Sequence, residues 1–167
     1  MSALPRLLFA LALVVAPAMI WGTSAQLPAT VASHFGGGGP PNGWMSHDGY
    51  LAFMLGLVTL LPLVVVAAVG WMPSVAPSRI QLPNRDHWLA PQQRAQTLAA
   101  LRTYACWLGI LLIVFMTALH MLLIEANAAT PPRLPEAPFL TMLAAFVVAL
   151  AFWILTLLLR FRLPAQR

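Results

Sequence analysis

From Phe139 to Leu159 the chain reads FLTMLAAFVVALAFWILTLLL, without one charged residue. Three further stretches are nearly as apolar: Leu7 to Trp21, Tyr50 to Met72 and Tyr104 to Ile124. A run of about 20 apolar residues matches the hydrocarbon thickness of a bilayer when coiled as a helix. Only 8% of the 167 residues are charged, against about 25% in soluble domains, so a water-exposed surface cannot be built from them. The expected fold is an all-α integral membrane protein in one domain, residues 1–167. Its four transmembrane helices are expected near residues 4–22, 50–72, 103–125 and 138–160. An outer loop at 23–49, a cytoplasmic loop at 73–102 and an outer loop at 126–137 connect them. The connecting segments carry the Pro, Gly, Asn and Arg that the spans mostly lack.

Arginine sets the expected direction. The net charge is +5 and all nine basic residues are Arg. Arg6, Arg79, Arg85, Arg94, Arg102, Arg160, Arg162 and Arg167 fall on one side if both termini lie in the cytoplasm, and Arg133 alone on the other. The positive-inside rule selects that arrangement, with both ends in the cytoplasm. The charges flank apolar spans rather than forming a patch, so nucleic acid is not an expected partner. Trp21, Trp44 and Tyr50 are expected at the outer boundary, and Trp71, Trp88 and Tyr104 at the inner one. Trp107 and Trp153 lie deeper and read as packing residues. Arg6, an apolar run and Thr23-Ser24-Ala25 also fit a cleavable signal peptide over residues 1–25; a retained helix is the first reading, and both leave the first loop outside. Pro62 near mid-span predicts a kink. Pro91 suits a helix start, so the third helix is expected to begin in the cytoplasm. Arg85, Asp86 and His87 are expected as a small polar cluster beside Trp88, which reads as an anchor on the lipid surface.

The expected outer side gathers His34, His47, Asp48, His120 and Glu125. An ionisable group inside a span, such as His120, is a functional hypothesis by default. Three His and two carboxylates are enough for zinc, and His34, His47 and His120 are the candidate ligands. Yet His120 and Glu125 are five apart, off the three- or four-residue helical spacing, and no metal or nucleophile motif accompanies them. No cofactor and no catalytic residue are therefore expected. Gly36 to Gly39 lack the Lys and Ser/Thr of a phosphate loop. With Pro40-Pro41-Asn42-Gly43 they predict a shaped, hairpin-like loop, its tight turn at Asn42-Gly43. Cys106, alone in an apolar run, reads as a small buried hydrophobe.

Leu27-Pro28, the Val31 to Phe35 stretch VASHF with His34, the Gly/Pro-rich turn, and Asn42-Gly43-Trp44 followed by Ser46 resemble the bacterial domain of unknown function 1648. That domain is the N-terminal part of SdpI-type immunity membrane proteins, and the bacterial resemblance makes a bacterial inner membrane the expected location. The similarity extends through the second apolar span. His47 stands where the family often has Lys, and the glycine run is longer than its usual turn. The resemblance implies a binding, sensing or immunity and signalling component that meets a peptide or protein on the outer side, with the bilayer as its other partner. The shaped outer loop is itself expected to bind or sense something, through His34, Phe35, Asn42, Gly43, Trp44, Ser46, His47 and Asp48. Two alternatives stay open: a metal-dependent enzyme or transport accessory using the outer His and Glu residues, and a structural subunit of a membrane complex.

Overall fold

The computed structural model describes residues 3–76 and 82–162. Arg79 and Arg167, used above in the charge argument, lie outside the described residues. Four helices are long and apolar enough to cross a membrane, and the chain is in that sense a multi-pass membrane protein. They are α1 (Leu4–Ser24), α2 (His47–Val66) with its continuation, α5 (Pro91–Ala128) and α6 (Glu136–Arg160). The all-α expectation needs one correction. Residues of the first loop pair as an antiparallel sheet of β1 (Thr30–Phe35) and β2 (Pro41–Ser46).

Local chemistry sets the helix ends. Pro5 opens α1 and Pro91 opens α5, where a missing N–H costs nothing. The Ser46 hydroxyl accepts from the Gly49 N–H at 3.1 Å, capping α2, and Asp48 in its first turn complements the dipole. Glu136 and Arg160 do the same for the two ends of α6. The α2 helix passes through Pro62 without interruption. Its irregularity lies one turn beyond, in a π-helical stretch at Ala67–Trp71, before a last turn α3 (Met72–Val75). At about 1.5 Å per residue, the 38 residues of α5 span about 57 Å, far more than a bilayer core of about 30 Å. Its ends therefore stand clear of any membrane it crosses.

The core is a three-helix bundle. Phe9, Ala16 and Ile20 of α1 meet Met54, Val58 and Val66 of α2 and Ala105, Cys106 and Ile113 of α5. Gly109 sits at the tightest crossing: a Cβ there would come within 2.5 Å of Phe9 Cε2 and 2.7 Å of Val66 Cγ2. Lipid tails are as apolar as Leu, so helices associate by close approach over small residues. Helix α6 has no buried residue and packs chiefly on α5. Tyr104 ties the two: its hydroxyl donates to Thr156 O at 3.0 Å, and the Trp153 indole donates to Tyr104 O at 2.9 Å. Trp107, expected to be a packing residue, is instead exposed (44%).

At the end away from the sheet, a short α4 (Arg85–Trp88) closes against the end of α6. Trp88 Nε1 and Asn84 Nδ2 both donate to Phe161 O, at 2.8 and 3.2 Å. Trp88 is thus not a free lipid anchor; its ring packs edge-on to Phe161, under the Arg160 guanidinium. Arg85 Nε donates to Asp86 Oδ1 at 3.2 Å, while His87 packs edge-on to Trp88.

Candidate functional site: the sheet end of the bundle

Three helices are joined below the sheet by a buried polar chain. Thr23 donates its one hydroxyl proton to Met19 O at 2.6 Å, so it must accept from His120 Nε2 at 2.9 Å. That leaves His120 Nδ1 as an acceptor, and the Tyr50 hydroxyl donates to it at 2.9 Å. Both imidazole nitrogens thus have partners, and His120 is 0% exposed. Tyr50 is buried within the protein and stacks on His120, ring centroids 5.8 Å apart. The arrangement locks α1, α2 and α5 together; it leaves no free nitrogen for a ligand. Tyr50→Phe strands one buried lone pair, and we expect it to lower unfolding stability in detergent by about 1–3 kcal/mol, measured by chemical denaturation.

The sheet is fastened to α5 through one side chain. Asn127 Oδ1 accepts from Ala32 N–H at 2.8 Å, while Asn127 Nδ2 donates to Ala32 O at 3.0 Å and to Leu123 O at 2.8 Å. An amide that both donates and accepts reproduces one rung of a strand. Asn127 therefore covers the free edge of β1, where unpaired backbone groups would otherwise be buried. Val31 and Ala32 beside it are both 0% exposed.

The glycine run makes the turn, and it receives the second loop. Gly38 and Gly39 hold φ of +81° and +92°, which side-chain-bearing residues resist. The turn is thus at Gly36–Pro40, and the expected tight turn at Asn42-Gly43 is corrected: both residues belong to β2. Gly43 lies opposite His34 because a Cβ would come within 2.9 Å of His34 Cβ. Asn42 Oδ1 accepts from His34 Nδ1 across the pair. Leu134 N–H donates to Gly39 O at 3.0 Å, and Arg133 Nη2 donates to Gly38 O at 3.0 Å. Both long loops therefore belong to one end of the bundle. A Cβ on Gly39 would reach to 2.8 Å from Leu134 O.

Between this turn and the helices lies a cleft of about 420 Å³. Leu119 and Leu123 of α5 and Phe139 and Leu140 of α6 form its apolar part, with Phe35 and Leu134 above. His34, Glu136 and the glycine backbone supply its polar rim.

The other expected loop residues stand elsewhere. His47 donates from Nε2 to Ser24 O and from Nδ1 to Asp48 Oδ1, both at 3.1 Å, joining the start of α2 to the end of α1. Ser46 is the helix cap, Trp44 is exposed (51%), and Glu125 is exposed and outside the cleft lining. Among the described residues no three His, Cys, Asp or Glu side chains converge as a metal site. His34, His47 and His120 each have a separate set of partners. No protein-family model, curated protein or solved structure matches the chain.

Sequence reasoning passed over Asn127, Thr23, Arg133, Gly109 and Glu136. Asn127 had a signal: an amide at the end of an apolar run must find partners or leave the bilayer. Arg133 had one too, as the lone Arg on its side. Gly109, inside an unbroken apolar stretch, had none.

Proposed function

We propose that the chain is a non-catalytic recognition component of a bacterial inner membrane, with both termini in the cytoplasm and the sheet end outside. The observation that carries this reading is the cleft under the glycine turn: apolar within, polar at its rim, and walled by two loops latched to each other. Preorganised walls of this kind favour binding, because little ordering entropy remains to be lost. The arginine distribution supports the orientation. Arg133, the exception to it, donates to Gly38 O and so serves the latch. The resemblance of Leu27 to Ser46 to the domain of unknown function 1648 supports an SdpI-like immunity or signalling role, with a peptide or protein as the outer partner.

Deleting the gene is expected to sensitise the cell to a co-encoded peptide toxin, scored by growth beside the producer. Wild-type protein restores growth. Gly39→Val, at equal membrane abundance, restores less than about a tenth of it, since a β-branched residue cannot hold that φ beside Leu134 O. Unaltered growth of the deletion strain ends the immunity reading; full rescue by Gly39→Val ends the cleft as its site.

A further inference from the structure

The cleft rim is polar, formed by His34, Glu136 and the glycine backbone. Asn42 Oδ1 accepts from His34 Nδ1, which leaves the ring's Nε2 for a ligand. Glu136 adds a carboxylate to the same lining and has no ion pair among the described residues. The nearby cation, Arg133, is committed to Gly38 O instead. A rim carboxylate without an ion pair suits a cationic group rich in N–H donors. Below the rim, Leu119, Leu123, Phe139 and Leu140 offer only hydrocarbon. The occupant must therefore carry an ammonium head and an apolar tail, aligned in that order along the bundle.

We propose that the cleft binds the head and upper chain of an aminophospholipid, phosphatidylethanolamine, from the leaflet on the sheet side. This goes beyond the recognition reading above: the lipid fills the apolar part of the cleft, and the peptide or protein partner meets the loops that wall it. The cleft of about 420 Å³ lies within the range of about 300–1,000 Å³ of small-molecule sites. It takes the head and the first part of one chain, and the rest lies along the lipid-facing flank of α6, where Val147 and Val148 are exposed. Because α6 packs chiefly on α5, a lipid reaches the cleft sideways from the bilayer. A phosphatidylcholine head has the same charge but no N–H to donate. A phosphatidylglycerol head is anionic and is opposed by Glu136.

The test is native mass spectrometry of the full chain, purified in mild detergent and equilibrated with equimolar phosphatidylethanolamine, phosphatidylcholine and phosphatidylglycerol of matched chains. Phosphatidylethanolamine adducts are expected to exceed phosphatidylcholine adducts about three- to fivefold, the contribution of one net hydrogen bond that a trimethylammonium cannot make. Glu136→Gln brings the two to parity, whereas Glu125→Gln, outside the cleft, leaves the preference intact. Equal retention of all three lipids, preferential phosphatidylglycerol, or a preference that survives Glu136→Gln overturns the proposal. If the preference is absent while Gly39→Val still abolishes rescue, the lipid assignment falls and the recognition reading stands.

Discussion

Asn127→Ala is expected to detach the sheet from the bundle. The change removes three hydrogen bonds at once and leaves the N–H and C=O of buried Ala32 without partners. Each of the two stranded backbone groups costs about 1–3 kcal/mol, so we expect a loss of about 2–6 kcal/mol in unfolding stability. The loss is local in kind. Hydrogen exchange should accelerate across Val31 to His34 and in the Arg133–Leu134 latch, while amides around Gly109 keep their protection. Unchanged exchange in β1 would show that pairing with β2 alone holds the strand.

Gly109→Leu should have the largest effect of any single apolar substitution. Phe9 and Val66 already occupy the space into which even a Cβ would project, and both are buried. Overpacking a filled core costs about 1–3 kcal/mol for modest insertions; Gly109→Ala should fall in that range, measured by thermal unfolding in detergent. Gly109→Leu adds three more carbons at the same point and should prevent accumulation of folded protein. Phe9→Leu in the Gly109→Ala background should recover part of the loss, a coupling confined to residues in contact. Additive losses from the two changes would place the crossing elsewhere.

The four spans were legible because their cause is one-dimensional. An apolar run such as Phe139 to Leu159 has few alternatives in a bilayer, and Pro91 and Ser46 mark helix starts by chemistry local to themselves. The sheet was less legible. Thr30 to Phe35 carries two adjacent buried residues, Val31 and Ala32, because the strand packs against both α2 and α5, and cover from two helices erases the alternation that announces a strand. The turn was misplaced because Asn42-Gly43 has the composition of a tight turn, while its actual task is cross-strand: Asn42 orients His34, and Gly43 makes room for it. Glycines 38 and 39 win the turn by holding positive φ while leaving space for Leu134. The site depended most on contacts invisible in order along the chain. His34 and Glu136 share one cleft although about a hundred residues separate them, and only the latch of Arg133 and Leu134 on the glycine turn brings them together. His47, by contrast, is bound to Ser24 O and Asp48 and takes no part in that cleft.

Recognition of an outer partner requires the cleft to lie on the outer side of the membrane. Gly37 is exposed, and a Cβ built on it meets nothing within 4 Å, so Gly37→Cys should fold normally. With Cys106→Ala removing the one native thiol, a membrane-impermeant maleimide added to intact cells reports its side directly. The predicted result is full labelling of Cys at position 37 without permeabilisation. Labelling only after the membrane is opened would place the sheet in the cytoplasm and contradict the recognition reading.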